Sequence, residues 1–109
     1  MSESKKHVRD LQSKIIKDLV ELELNFANQQ FPQFTSAMEG LGVIQEEFDE
    51  AMEEIEHMEY MFRKFKIVLR ENRKNPCVSF LKGDIEKTIL ELIQLSAMLD
   101  KFQNLSSGR

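Results

Sequence analysis

The sequence predicts an all-α fold, a long-helix bundle of three main helices that is completed by dimerisation. Apolar residues recur at steps of three and four along three stretches of the chain, which is the spacing of amphipathic helices. No stretch shows the alternating apolar and polar pattern of a half-buried strand. With 109 residues, the chain is long enough for one hydrophobic core and too short for two, so we expect a single domain over residues 1–109.

The first helix is predicted over residues 4–27. Its expected buried stripe is made of Val8, Leu11, Ile15, Leu19, Leu22 and Phe26. Residues 28–33 lose this spacing, and Pro32 disfavours helical geometry at the residue before it. We therefore expect a loop from Asn28 onward.

The second helix is predicted over residues 37–73. Ser36 and Glu39 have the spacing of a capping box, in which the Ser36 hydroxyl accepts a hydrogen bond from the Glu39 amide and the Glu39 carboxylate reaches back. The helical spacing then continues without a slip until Asn75 and Pro76 close the helix. Gly40 costs about 1 kcal/mol relative to Ala inside a helix, as does Gly42 two residues on. We expect both glycines to permit the close approach of another backbone.

The third helix is predicted over residues 84–103, after a connector at residues 77–83 and before a tail expected to fray from residue 104. Asp84 is expected to cap the helix or to lie in its first turn. The expected buried stripe is Ile85, Ile89, Leu92, Ser96 and Leu99. Further apolar residues lie outside that stripe, more than a three-helix monomer would cover, so we expect a homodimer or homotetramer.

Composition argues against several classes of protein. Nineteen acidic and 15 basic residues give a formal charge of −4, whereas a nucleic-acid-binding protein would carry a clustered basic face. We therefore expect no stable nucleic-acid binding. No stretch reaches the roughly 18 apolar residues of a membrane span, and the N-terminal segment lacks the apolar core of a signal peptide. Cys77 is the single cysteine, so an oxidising compartment is not implied and a cytoplasmic location is expected.

The main functional signal is a run of carboxylates at residues 46–54. Six acidic side chains fall within two helical turns, and Glu46, Glu50 and Glu54 follow one another at i, i+4 spacing. Such like-charged pairs repel by a few tenths of a kcal/mol each. A hard divalent cation such as Mg²⁺ or Mn²⁺ would relieve this repulsion, since carboxylate oxygens are its preferred ligands. The alternative interpretation is a solvated acidic helix face, because glutamate is a good helix former.

A helical wheel places Glu47 beside the apolar stripe and Glu50 one step farther out, so both can reach one ion from successive turns. On the third helix, Glu91 and Gln94 lie three residues apart on one flank. If the second and third helices pack antiparallel, these side chains face each other and form a pocket. Helical bundles build metal sites in this way, from side chains on facing helices.

Two stretches resemble a known family. Residues 34–50 contain the pattern of a small residue, acidic-Gly, Val-Ile and then EExxE, which resembles the opening of the second helix in the MazG-like all-α nucleoside triphosphate pyrophosphohydrolases. Residues 91–102 resemble the second half of small, phage- or prophage-type members. The resemblance implies hydrolysis of a nucleoside triphosphate to the monophosphate and pyrophosphate, with Mg²⁺ held by EExxE and by ExxD on the next helix.

Carried over by position, this resemblance assigns roles to individual residues. Glu47, Glu50 and Glu91 are the expected metal ligands, and Gln94 stands where the family has Asp. An amide offers one oxygen but no negative charge, so the resemblance also implies weakened metal binding and impaired catalysis. The expected catalytic residue is Glu46, which would orient the attacking water.

Lys87 and Glu54 are the candidate substrate-binding residues. Lys101 is a further candidate for a phosphate contact, although a solvated position is the favoured interpretation for each lysine. His57 is assigned no partner at metal-ligand spacing and is expected on the surface of the long helix. Two alternatives to the hydrolase remain open: a non-catalytic helical interaction or scaffold protein that retains the fold, and an acidic coiled-coil adaptor without a pocket.

Overall fold

A computed structural model describes residues 2–31, 33–71 and 77–107 of the chain. Three helices make up this part: α1 (Glu3–Gln30), α2 (Ala37–Arg70) and α3 (Cys77–Ser107). No strand occurs among these residues, so the all-α prediction is confirmed. Both α1 and α2 pack on α3, which is therefore the central helix.

Helix α1 begins as expected but continues beyond the predicted end. The Ser2 hydroxyl caps it by accepting a hydrogen bond from the Lys5 amide at 3.2 Å. Residues 28–30, predicted as loop, are helical, and the first extended residue is Phe31 with φ −142° and ψ 95°. Proline restricts only the residue immediately before it. The loss of apolar spacing at residue 28 therefore did not end the helix.

Helix α2 is capped at Ser36, whose hydroxyl accepts a hydrogen bond from the Glu39 amide at 3.1 Å as predicted. The Glu39 carboxylate reaches back to Thr35 rather than to Ser36, and accepts hydrogen bonds from the Thr35 amide and hydroxyl. The helix ends at Arg70. The predicted closing residues at 72–76 lie outside the described part of the chain.

Helix α3 differs most from the sequence prediction. It begins at Cys77 instead of residue 84, and it continues to Ser107 through a segment expected to fray. Asp84 therefore lies inside the helix and is buried, not at its N-terminus. A Cβ atom at Gly83 would meet no heavy atom within 4 Å. The cost of about 1 kcal/mol for one helical glycine is outweighed by the backbone hydrogen bonds of the added turns.

The hydrophobic core lies where α1, the loop before α2 and the second half of α3 meet. Ala97 is completely buried, and the other core members are Val20, Phe34, Ile93 and Met98. Leu24 and Ala27 pack against this cluster from α1. These α1 residues lie on the side of the helix opposite to the predicted stripe.

The predicted buried stripes of α1 and α3 are largely exposed in the single chain. The six α1 residues Val8, Leu11, Ile15, Leu19, Leu22 and Phe26 are 40–66% exposed. On α3 the exposed residues are Ile85, Ile89, Leu92 and Leu99, at 43–50%. The side chains that actually bury include the polar Asp84, Thr88 and Lys101. Helices α1 and α3 therefore each have one apolar face packed inside and a second apolar face that the described residues leave uncovered.

The two glycines at the start of α2 have different environments. A Cβ atom at Gly40 would come within 2.7 Å of the Phe102 ring and 2.9 Å of the Phe34 ring. Close approach at this position is therefore real, but the neighbours are side chains and not a backbone. A Cβ atom at Gly42 would meet nothing within 4 Å, so the same expectation was wrong for Gly42.

Candidate functional site

The pairing of α2 with α3 positions the candidate site. Three contacts define it: Gly40 with Phe102, Glu47 with Gln94, and His57 with Asp84. Residue numbers rise along α2 as they fall by nearly the same amount along α3. The two helices are therefore antiparallel, as the pocket prediction required, and they keep one register over roughly 25 Å at 1.5 Å per residue. We call this contact the α2–α3 seam.

Three of the predicted metal ligands converge on this seam. Glu47 and Glu50 extend from successive turns of α2, and Glu91 extends from α3. One carboxylate oxygen from each lies within 4.8 Å of the other two. Glu47 and Glu91 are half-buried, whereas Glu50 is exposed. We call these three side chains the carboxylate cluster.

Gln94, the fourth predicted ligand, contacts two members of this cluster. In the orientation that satisfies its hydrogen bonds, the amide nitrogen donates to Glu47 and to Glu91, each at 3.3 Å. Rotation of the amide by 180° would bring its oxygen to the same place. Gln94 therefore satisfies the carboxylates in the absence of a cation and can offer an oxygen ligand in its presence.

The carboxylate cluster carries more negative charge than its surroundings offset. Burial raises the pKa of Glu47, and repulsion from Glu50 and Glu91 raises it further. Burial likewise raises the pKa of Glu91, together with repulsion from Glu50 and a hydrogen bond to it. Within the described residues, the ion pairs of Lys and Arg side chains involve other carboxylates. Oxygen ligands that repel one another and lack a cationic partner fit a hard divalent cation.

The other predicted site residues lie outside this cluster. Glu46 is exposed, and its charge contributes to the raised pKa of Glu47. Lys87 is exposed on α3, one helical turn before Glu91. Glu54 is half-buried and lies closer to another set of side chains.

That other set was missed by the sequence reasoning. Potential ligand atoms of Glu54, His57 and Asp84 lie within 4.8 Å of one another. The expected surface position of His57 is confirmed, but its Nδ1 lies 2.9 Å from Asp84 Oδ2 of α3, a partner that spacing along one helix did not predict. The spacing of Glu54 and His57 on one helix was visible in the sequence. Asp84 was hidden by its assignment to the helix N-terminus.

A cleft of about 600 Å³ extends from the carboxylate cluster toward the hydrophobic core. Glu47 and Gln94 line one part of it, and its apolar walls include Phe26, Phe31 and Phe34. Its volume lies within the range of roughly 300–1,000 Å³ that is usual for small-molecule sites. The sequence reasoning did not identify these aromatic residues as a lining, because they come from α1 and from the loop after it.

Lys101 also lines this cleft but is not a free cation. It is buried, it donates a hydrogen bond to the Phe31 carbonyl, and its ammonium lies 4.9 Å from the centre of the Phe34 ring. Burial lowers the pKa of Lys101, and nearby Glu39 partly opposes that change. Neither the phosphate contact nor the solvated position considered from sequence describes it. Lys101 ties the loop after α1 to α3.

Comparison of the chain with protein-family models, curated proteins and solved structures found no match. Among the described residues, none of the helices has an apolar stretch long enough to traverse a bilayer.

Proposed function

We propose that this protein is a Mg²⁺-dependent nucleoside triphosphate pyrophosphohydrolase of the MazG-like type. The observation that carries the proposal is the convergence of Glu47, Glu50 and Glu91 from two antiparallel helices within 4.8 Å. Bundles place metal ligands on facing helices in this manner. An all-oxygen donor set suits Mg²⁺, or Mn²⁺ in its place.

The chain's residues have distinct roles in this proposal. Glu47, Glu50 and Glu91 would hold the cation, and the amide oxygen of Gln94 would be available as a fourth ligand. When bound, Mg²⁺ offsets the negative charge that develops on the phosphates. Glu46, exposed at the margin of the carboxylate cluster, orients the attacking water and accepts its proton.

The reaction is a displacement at the α-phosphorus. A water oxygen forms a bond to the α-phosphorus. The bond between the α-phosphorus and the oxygen that bridges it to the β-phosphorus breaks, and pyrophosphate leaves with the electron pair of that bond. The phenylalanine-lined cleft beside the cluster supports a substrate with a flat, partly apolar group such as a nucleobase. Lys87 approaches the phosphates from α3, and Glu54 bounds the opposite side.

The identity of the products tests this function most directly. We expect the purified chain with Mg²⁺ to convert at least one member of a panel of ribo- and deoxyribonucleoside triphosphates to monophosphate and pyrophosphate, as separated by ion-exchange chromatography. In ¹⁸O-labelled water, the label should enter the monophosphate. Release of diphosphate and orthophosphate would contradict attack at the α-phosphorus, and the absence of any turnover across the panel would exclude the hydrolase.

The uncovered apolar faces of α1 and α3 support a homodimer or homotetramer as the functional unit. Six stripe residues of α1 are 40–66% exposed. Together they form a continuous apolar face of a kind that monomeric proteins rarely expose to water. Light scattering on a size-exclusion column should therefore give twice or four times the 12.8 kDa of one chain. Replacing Leu22 by Glu should shift the protein toward the monomer, and a wild-type monomer at micromolar concentration would contradict the proposal.

The same faces favour the second candidate function, a non-catalytic interaction protein that keeps the bundle. In that case Gln94 marks a site that has lost one charge, and the apolar faces bind a partner chain. In that case the protein would hydrolyse none of the nucleoside triphosphates in the panel, but it would still self-associate or bind a partner. For either function we propose a cytoplasmic location, where nucleoside triphosphates and reduced cysteines occur together.

A further inference from the structure

A second group of potential ligands lies farther along the α2–α3 seam. Glu54 and His57 are three residues apart on α2 and therefore lie on the same side of the helix, one above the other. Asp84 faces them from α3, and one ligand atom from each residue lies within 4.8 Å of the others. Two carboxylates and one imidazole are thus brought together by a contact between helices.

Asp84 provides an independent sign that this group binds something. Only 8% of its side chain is exposed, and its Oδ2 atom accepts no hydrogen bond from any residue that the structure describes. His57 Nδ1 lies 2.9 Å from that oxygen, so one imidazole nitrogen and one buried carboxylate oxygen meet at this point of the seam. The neighbouring Thr88 hydroxyl donates to the Asp84 backbone carbonyl and not to its carboxylate.

A buried carboxylate oxygen without a donor is costly, and native proteins seldom leave one. The groups that share this space with Asp84 Oδ2 are the Glu54 carboxylate and the His57 imidazole, and both are side chains that bind metal ions through lone pairs. Lone pairs from three side chains that share one small space attract a cation. The mixture of one nitrogen and two oxygens then decides which cation.

We propose that Glu54, His57 and Asp84 form a binding site for a divalent transition metal ion, with Zn²⁺ as the best fit. Imidazole nitrogen suits zinc and its neighbours in the first transition row, whereas Mg²⁺ selects oxygen ligands. Three protein ligands leave a fourth tetrahedral position for water. His57 is 56% exposed at its side chain, so the ion can enter from solvent.

This site adjoins the carboxylate cluster but shares no ligand with it and differs from it in chemistry. Glu54 lies one helical turn beyond Glu50, which corresponds to about 6 Å along the α2 axis. The carboxylate cluster contains no nitrogen ligand, and the second site contains His57. The proposal does not depend on the hydrolase function, and it holds equally for a scaffold protein.

A calorimetric titration of the full chain with Zn²⁺, after any EDTA has been removed, tests this site. His57→Ala should weaken Zn²⁺ binding by about tenfold or more, the usual cost of disturbing a metal site. His7→Ala is the matched control, because His7 is exposed on α1 and belongs to neither ligand group. It should leave the affinity unchanged. Cobalt should give a visible absorption band with the wild type and lose it with His57→Ala.

Histidine ring ¹⁵N spectra of the wild type provide a readout that needs no variant. Zinc should shift the Nδ1 signal of His57 and leave the signals of His7 in place. The proposal is overturned if both histidine variants weaken zinc equally, if Glu50→Gln removes zinc binding while His57→Ala keeps it, or if zinc leaves the His57 ring signals unchanged. The last result would mean that the His57 ring or water satisfies Asp84 without a metal ion.

Discussion

Glu50→Gln is expected to lower Mg²⁺-dependent pyrophosphate release to about 1% of the wild-type rate or less. Glu50 supplies one of the three converging carboxylates, and the amide keeps the shape of the side chain while removing its charge. Electrostatic stabilisation by a bound metal is worth several kcal/mol, and each 1.4 kcal/mol corresponds to about a tenfold change in rate. Glu50 is exposed, so the fold should be retained, which circular dichroism checks.

Glu53→Gln is the matched control for this experiment. Glu53 is exposed on the same helix, the substitution changes the net charge equally, and the residue belongs to neither ligand group. Its rate should stay within about twofold of the wild type. Equal losses in both variants would indicate that the overall acidity of α2 matters, and full activity of Glu50→Gln would exclude the carboxylate cluster as the catalytic metal site.

Gln94→Asp and Glu47→Gln are expected to have opposite effects on stability and on Mg²⁺ affinity. Gln94→Asp adds a charge beside Glu47 and Glu91, so Mg²⁺ should bind about tenfold more tightly, a gain of about 1.4 kcal/mol. Without metal, the same charge should lower the free energy of unfolding by about 1 kcal/mol, the Coulomb energy of two charges about 4 Å apart in water. Glu47→Gln removes a charge, so it should stabilise the metal-free fold and weaken Mg²⁺ binding.

The stability difference for Glu47→Gln should depend on pH in a defined direction. The pKa of Glu47 is raised above the model-peptide value of 4.5, so the fold favours the protonated carboxyl. Below 4.5 the carboxyl is protonated in both states and its repulsion is absent. As the pH rises from 4.5 through the folded-state pKa, ionisation of Glu47 costs more in the native state than in the unfolded state, so the free energy of unfolding falls. The advantage of Glu47→Gln should therefore be present at neutral pH and disappear in acid.

Urea unfolding in EDTA, at neutral pH and at a pH below 4.5, measures the effects on stability. Calorimetric titration with Mg²⁺ measures the effects on affinity. Gln12→Asp on α1 is the control for Gln94→Asp, because it makes the same chemical change at an exposed residue outside the carboxylate cluster. Gln12→Asp should leave the Mg²⁺ affinity unchanged, and Mg²⁺ should stabilise this variant as much as it stabilises the wild type. If Gln94→Asp leaves the affinity for Mg²⁺ unchanged, the amide and the three carboxylates do not share a cation.

Local spacing in the sequence was sufficient to predict the helices and one capping interaction. The Ser36 cap forms as expected because its partners are three residues apart and need nothing from the rest of the chain. The start of α3 could not be predicted in this way. Asn75 and Pro76 as the end of one helix and Asp84 as the start of the next favoured a connector between them, whereas α3 already begins at Cys77.

The sequence also predicted which carboxylates would meet on the assumption of antiparallel packing. Glu47 and Glu50 were predicted from spacing on one helix, whereas the meeting with Glu91 required the register of α2 against α3. The same register brings Asp84 to His57. This contact could not be found from sequence, since nothing in the local pattern connects residues on different helices.

The amino-acid sequence by itself determined the helical class, the number of helices and the acidic face of α2, because these depend on neighbours within a few residues. The tertiary structure decided which apolar faces are buried, which carboxylates share a space and where the aromatic cleft forms. Those features depend on one rotation and one register for each pair of helices. Helices with two apolar faces, such as α1, satisfy the local pattern in either orientation, so only packing selects between them.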